Sequence, residues 1–89
     1  MSVFRNFFKV GSVEILRFLD TVGEARHNKI LNQNFVESRE TFARRLRELE
    51  ELELIKRKIL HLRPPGVSYS LTKKGKRVII LLNDLEEIL

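Results

Sequence analysis

The side chains most able to do chemistry in this sequence are cations, and many of them fall in one stretch of the chain. Residues 54–77 contain no aspartate or glutamate, whereas all twelve acidic residues lie elsewhere. That stretch carries eight of the 17 lysines and arginines: Lys56, Arg57, Lys58, Arg63, Lys73, Lys74, Lys76 and Arg77. Such a local excess of positive charge favours a polyanionic partner, either nucleic acid or an anionic membrane. A solvated basic face without a partner is the alternative.

No arrangement typical of an active site accompanies these cations in the sequence. The chain has no cysteine, which excludes disulfides, thiolate catalysis and cysteine zinc sites. His27 and His61 are far apart and lack the carboxylate pattern typical of a metal site. The sequence also shows no nucleophile–base pair, glycine-rich phosphate loop or paired carboxylates. We therefore expect no enzymatic activity, no metal ligand and no cofactor.

The length and composition predict one folded domain over residues 1–89. A hydrophobic content of 43% is enough for a core, and no repeat or low-complexity segment interrupts the chain. The longest apolar run, residues 78–82, is far shorter than the roughly 18 residues of a membrane span. Residues 1–10 lack the unbroken apolar centre of a signal peptide. We expect a soluble, cytoplasmic protein with no membrane partner.

Apolar spacing and capping residues predict four helices, three before the basic stretch and one at its end. Ser12, Ser38 and Thr72 stand where helix N-caps belong, because their side chains can accept hydrogen bonds from the first free backbone N–H groups. The third helix has its core face at Phe42, Leu46 and Leu49. The predicted helices cover residues 13–22, 28–33, 39–52 and 73–88.

A β-hairpin is predicted between the third and fourth helices. Residues 54–62 mix apolar and basic side chains, and residues 67–71 alternate apolar and polar, which places Ser68 and Ser70 on the solvent face. The Pro-Pro-Gly sequence between them breaks regular structure and forms the loop. The predicted fold class is α+β, mainly helical: a winged helix-turn-helix with a two-stranded β-wing and a long C-terminal helix.

This fold predicts two sets of contacts to double-stranded DNA. A helix fits the major groove with its N-terminal end near the base edges, and a basic wing can hold the adjacent phosphates. Arg44 is the predicted base contact, and Glu40 can accept from cytosine or simply stabilise the helix N-terminus. The predicted contacts of the third helix are Ser38, Arg39, Thr41, Arg44 and Arg45. Those of the wing and the start of the last helix are Lys58, His61, Arg63, Lys73 and Lys74.

Several motifs in residues 12–89 resemble one family of regulators. They are RLRELE at residues 45–50, LIKR at 54–57, the paired prolines 64 and 65, VSYSLT at 67–72, and Gly75. The pattern is similar to that of HxlR-type regulators, and more loosely to MarR-like and PadR-like regulators. Glu53 stands where the HxlR pattern has a glycine, Ser68 replaces a frequent acidic residue, and the N-terminal half lacks the family's tryptophan. The resemblance implies a dimeric transcription regulator.

The last helix predicts a homodimer. It is apolar nearly all round, so it must be buried on more than one side, and an 89-residue monomer has little protein to cover it. Residues 1–11 and 73–89 are the predicted dimerisation segments. The predicted interface comprises Phe4, Phe7, Phe8, Ile79, Ile80, Leu82, Leu85 and Ile88. Alternatively, the three phenylalanines fold back over the last helix of their own chain.

The sequence thus favours a homodimeric, nucleoid-associated regulator that binds double-stranded DNA sequence-specifically. A sequence-neutral architectural DNA binder and a winged-helix module for protein–protein interaction are the alternatives. Phosphate contacts alone would produce the same charge pattern in a sequence-neutral binder. The acid-free basic stretch favours DNA over a protein partner. The sequence leaves the operator, the direction of regulation and any effector open.

Overall fold

A computed structural model describes residues 9–89, which form four helices and one three-stranded antiparallel sheet. In chain order the elements are α1 (Ser12–Val22), β1 (Glu24–Arg26), α2 (His27–Leu31), α3 (Arg39–Glu51), β2 (Ile55–Leu60), β3 (Gly66–Leu71) and α4 (Lys73–Ile88). The predicted α+β winged helix-turn-helix is therefore confirmed. None of the helices in this part of the chain is long and apolar enough to cross a membrane.

The sheet has one strand more than the sequence predicts. Its order is β1-β3-β2, so β3 lies in the centre and pairs antiparallel with both neighbours. β1 is only three residues long, and Ala25 at its middle is opposite Tyr69 of β3. Three residues are too few to show a period-two pattern, so the two-stranded wing was wrong in its strand count.

The central position of β3 also reverses the predicted environment of Ser68. This residue lies between Arg26 of β1 and Lys58 of β2 in the sheet register, and only 1% of it is exposed. Its hydroxyl donates to a carboxylate oxygen of Glu24 at 2.7 Å. Ser68 is therefore on the sheet face opposite the core, as its alternation with Tyr69 predicts, but the expectation that it is exposed to solvent was wrong, because side chains of the two flanking strands cover it.

Two of the three predicted N-caps are confirmed. The Ser38 hydroxyl accepts from the Thr41 N–H at 3.0 Å, and the Thr72 hydroxyl accepts from the Gly75 N–H at 3.0 Å. Ser12 is not a cap: it is the first helical residue of α1, and the cap position is Gly11, whose φ is +93°. A Cβ at Gly11 would lie 2.5 Å from Val36 Cγ1, so both the backbone angle and the packing require glycine.

The turn from α3 into β2 keeps a glycine-type geometry although its residue is glutamate. Glu53 has φ +62°, in the left-handed region. Its N–H donates to the Glu50 carbonyl at 2.9 Å, and the Leu54 N–H donates to the Leu49 carbonyl at 3.0 Å. These two bonds form a Schellman motif, and the two leucines are both buried, as that motif favours. Glu53 therefore adopts a conformation that costs roughly 1–2 kcal/mol for an L-residue.

One core joins α1, α2, α3 and the inner face of the sheet. Its buried side chains are Ile15, Leu16, Leu19, Ala25, Ile30, Phe42, Leu46, Leu49, Leu54, Ile55, Tyr69, Leu71 and Ile79. The predicted core face of α3 is thus confirmed. α4 contributes Ile79 to this core. Its Gly75 packs against the residue just before β2, since a Cβ at Gly75 would lie 2.1 Å from the Leu54 carbonyl oxygen.

Candidate nucleic-acid interface

The N-terminal half of α3 presents a polar surface whose orientation is set by the core. Phe42, Leu46 and Leu49 are buried, so the opposite side of the helix faces outward. Arg39 and Arg44 are exposed there, and Thr41 is half-buried. The Ser38 cap holds the helix start, and its hydroxyl also donates to the Thr41 hydroxyl at 2.9 Å. A capped helix end with outward arginines can enter a DNA groove without disturbing the core.

Arg44 makes only a weak ion pair within the protein. Its guanidinium lies 3.6 Å from a carboxylate oxygen of Glu40, one turn earlier, and the Arg44 side chain is 49% exposed. Exposed pairs of this kind contribute at most a few tenths of a kcal/mol on a helix. Arg44 therefore keeps most of its five donors available, and a guanidinium can donate two hydrogen bonds to the O6 and N7 of guanine.

Arg45 is not available for DNA, contrary to the prediction. Its side chain is only 11% exposed. The guanidinium donates to the Val10 carbonyl at 2.8 Å and to a Glu48 carboxylate oxygen at 3.1 Å. Lys9 donates to the other oxygen of Glu48 at 2.9 Å. Arg45 thus ties the residues before α1 to α3, which is a structural role. Its spacing signals this, since it lies three residues after Phe42 and four before Leu49.

The same network sets the charge state of Glu48. Burial raises the pKa of this carboxyl, but hydrogen bonds and attraction from Lys9 and Arg45 outweigh burial, so the pKa stands below its ordinary value of 4.5. Glu48 therefore remains ionised at neutral pH and neutralises part of the charge of its two partners.

The wing places the predicted cations at different points of its surface. His61 and Arg63 are exposed in the loop between β2 and β3, and Lys58 is exposed on β2 next to that loop. Lys58 is opposite Ser68 in the register, so it lies on the outer face of the sheet. Arg63 lies in the middle of this loop, three residues from the end of β2 and three from the start of β3.

The structure separates Lys73 and Lys74 from the start of α3. Both begin α4, and the Lys74 ammonium donates to the Leu52 carbonyl at 2.9 Å. Leu52 is the C-cap of α3, and α3 is about 20 Å long at 1.5 Å per residue. Lys74 therefore stabilises the carbonyl end of α3, at the opposite end from Ser38.

The predicted dimer residues also fall into different environments. Ile79 is 3% exposed within the protomer, so its assignment to an interface was wrong: its side chain packs against the core. Leu82 is half-buried against the same core. Ile80, Leu85 and Ile88 are exposed, together with Leu81 and Leu89, which the prediction omitted. Phe4, Phe7 and Phe8 lie outside the described residues.

A small cleft between α3 and the wing contains polar residues that were absent from the predicted site. We call it the wing cleft, and its volume is about 190 Å³. Its lining residues are His27, Ala43, Leu46, Arg47, Glu50, Arg57 and Tyr69. The His27 ring meets Phe42 edge-on at a centroid distance of 5.0 Å. Arg57 belongs to the basic stretch, but only the fold shows that it faces α3 rather than solvent alone.

Comparison with known proteins identifies the family. A family model described as HxlR-like helix-turn-helix matches residues 11–89. The chain belongs to the HxlR-like helix-turn-helix family. The resemblance of residues 45–75 to the HxlR pattern is therefore confirmed, and membership of this HxlR-like family makes the chain a DNA-binding protein of the transcription-regulator class.

Solved structures support this assignment. The reduced form of the transcriptional regulator YodB from B. subtilis is 29% identical, with a TM-score of 0.84 over 97% of this chain and 83% of that one. Diamide-treated YodB is also 29% identical, with a TM-score of 0.82 over 97% and 84%. The redox regulator HypR in its oxidised form is 23% identical, with a TM-score of 0.77 over 98% and 92%, and shows the shared fold. The sequence has no significant match among curated proteins.

Proposed function

We propose that this HxlR-like protein is a homodimeric transcription regulator that binds double-stranded DNA sequence-specifically. The N-terminal half of α3 would enter the major groove, and the wing would contact the adjacent backbone or minor groove. One observation carries the proposal: α3 is fixed by its buried face and its Ser38 cap, so Arg39 and Arg44 project from a rigid helix end. Rigid placement is what base-specific hydrogen bonds require.

The exposed apolar face of α4 supports a homodimer. Ile80 is 58% exposed, Leu85 is 45% exposed and Ile88 is 79% exposed, although all three are large aliphatic side chains. Several large aliphatic side chains exposed on one helix are typical of a protein–protein contact. A second copy of α4, related by a two-fold axis, would cover it with the same residues. Two-fold symmetry would then place two α3 helices about 34–36 Å apart, over inverted half-sites.

The lack of cysteine in the given sequence bears on how DNA binding can respond to oxidants. YodB has been solved in reduced and diamide-treated forms, and diamide oxidises thiols. The present chain contains no cysteine. We therefore infer that its DNA binding does not respond to thiol oxidation, and that diamide leaves its affinity for DNA unchanged. A wild-type protein that lost DNA binding on diamide treatment would contradict this inference.

Selection of bound sequences from a random duplex pool tests the proposed function. Wild-type protein should enrich an inverted repeat with half-site centres about 10 base pairs apart. Arg44→Ala should relax the preference at one symmetric pair of positions, because a bidentate arginine–guanine pair discriminates by about 1–3 kcal/mol. Lys76→Ala, an exposed substitution on α4, is the matched control and should enrich the wild-type motif.

The outcomes separate the candidate functions. Equal enrichment by wild type and Arg44→Ala would show that Arg44 does not contact bases. Salt-dependent binding without any enriched motif would indicate a sequence-neutral binder. With roughly six to ten phosphates neutralised per dimer, affinity should fall about 10³–10⁵-fold between ~50 and ~200 mM salt. A salt slope near zero would overturn the DNA-binding function itself.

A further inference from the structure

The wing cleft brings together charged side chains from α3 and β2. Arg47 and Glu50 lie on the side of α3 that faces β2, and Arg57 projects from β2 toward them. The Arg57 Nε lies 3.9 Å from a Glu50 carboxylate oxygen, which is too long for a hydrogen bond. Their side chains are 51% and 39% exposed. The pair is therefore loose, and the Arg57 donors are available to another anion.

The position of the wing cleft points to a phosphate of the DNA backbone as the anion that Arg57 can bind. In B-DNA the sugar-phosphate backbone is the ridge between the major groove, about 12 Å wide, and the minor groove, about 6 Å wide. A protein with a helix in one groove and a wing toward the next must accommodate that ridge between the two elements. In this chain α3 and β2 are those elements, and the wing cleft is the space between them.

We propose that the wing cleft receives the phosphodiester backbone between the two grooves, that Arg47 and Arg57 bind its phosphates, and that Glu50 opposes this binding. The proposal rests on the proposed function, because it requires α3 and the wing to contact the same duplex. It adds the phosphate-binding residues and assigns a negative residue whose removal strengthens binding.

The uncharged lining of the cleft also includes a group that can bind phosphate. Tyr69 lines the cleft and is 7% exposed. Burial raises the pKa of its hydroxyl; Arg57 lowers this pKa and Glu50 raises it further. The phenol therefore keeps its proton at neutral pH and can donate a hydrogen bond to a phosphate oxygen. His27 contributes to the same lining. A pair of arginines beside a phenol hydroxyl can supply charged and neutral hydrogen-bond donors to one phosphate.

The proposal predicts opposite changes in DNA affinity when Arg57 and Glu50 are replaced. Replacing Arg57 removes one phosphate contact, so Arg57→Ala should weaken binding about 5–10-fold and lower the salt slope by about one. Glu50→Gln keeps the shape of the side chain but removes the repulsion of the phosphate and the competition for Arg57. It should strengthen binding about 3–10-fold and leave the fold unchanged.

The experiment measures fluorescence anisotropy of a labelled random-sequence duplex of about 40 base pairs, titrated at salt concentrations from ~50 to ~200 mM. The matched controls are Arg77→Ala, an exposed arginine on α4, and Glu51→Gln, an exposed carboxylate next to Glu50 on α3. Circular dichroism checks that each variant is folded. A gain for Glu50→Gln that exceeds the gain for Glu51→Gln, together with a loss for Arg57→Ala that exceeds the loss for Arg77→Ala, supports the cleft.

The same experiment distinguishes failure of the cleft proposal from failure of the proposed DNA-binding function. If wild type binds with a steep salt slope but Glu50→Gln matches Glu51→Gln, or Arg57→Ala matches Arg77→Ala, the cleft proposal is overturned and DNA binding stands. If wild type shows no salt-dependent binding to duplex DNA, both proposals are overturned.

Discussion

Replacing Glu53 by glycine should stabilise the protein. Glu53 occupies the left-handed position of the Schellman motif that ends α3, with φ +62°. A left-handed L-residue costs roughly 1–2 kcal/mol, whereas glycine adopts this conformation freely. Glycine also gives the unfolded chain more conformational freedom, which offsets about 0.5–1 kcal/mol of the gain. The expected net effect of Glu53→Gly is about 0.5–1 kcal/mol of added stability, or a rise in Tm of roughly 2–8 °C for a domain of this size.

Thermal and urea unfolding followed by circular dichroism measure this effect. Glu51→Gly is the matched control, because it removes the same charge from an exposed glutamate that is helical, at the end of α3. Glycine lowers helix stability, so Glu51→Gly should lose up to about 1 kcal/mol. The variants are compared at one protein concentration, because oligomerisation makes Tm concentration-dependent. A Glu53→Gly variant less stable than wild type would refute the argument from backbone strain.

Three further perturbations have defined expectations. Gly75→Ala should destabilise the fold by about 3 kcal/mol in urea unfolding, since its Cβ would lie 2.1 Å from the Leu54 carbonyl oxygen; a neutral result would contradict the packing. The lowered pKa of Glu48 contributes stability above its ordinary value of 4.5 that is lost as pH falls through the folded pKa. Wild type should thus lose more stability than Glu48→Gln on acidification, and parallel pH profiles would count against this. Ile80→Glu should sediment as a folded monomer, whereas Lys29→Glu, an exposed substitution on α2 outside the dimerisation segments, should remain dimeric. A monomeric wild type at high micromolar concentration would exclude the dimer.

The local sequence predicted most of the helices and the wing. The range of α4 was predicted without error, and α3 and the two long strands were predicted to within about two residues. These elements have strong short-range signals: Ser38 and Thr72 cap their helices, and apolar residues repeat with the helical period along α3. Such signals involve only a few neighbouring residues, so they can be recognised without the tertiary structure.

The environment of individual polar residues depended on tertiary contacts. Arg45 and Ser68 both appeared as surface residues in sequence, yet Arg45 bonds Val10 and Ser68 bonds Glu24, 35 and 44 residues away along the chain. The β1 strand that brings Glu24 to Ser68 has no periodic signal of its own. Contacts at such separations arise only when the elements pack.

For the candidate site, the sequence by itself determined where the basic residues lie along the chain. The tertiary structure determined which groups each of them contacts. Residues 54–77 are basic in any conformation, and the outward side of α3 follows from its apolar period, so the sequence located Arg39 and Arg44. Packing then decided the environment of individual cations: Arg45 is buried and donates to the Val10 carbonyl, Lys74 stays exposed while it donates to the Leu52 carbonyl, and Arg57 faces α3 across the wing cleft. Whether a side chain is buried, and which groups it bonds, depends on the elements packed against it. The charge of the side chain alone does not predict either.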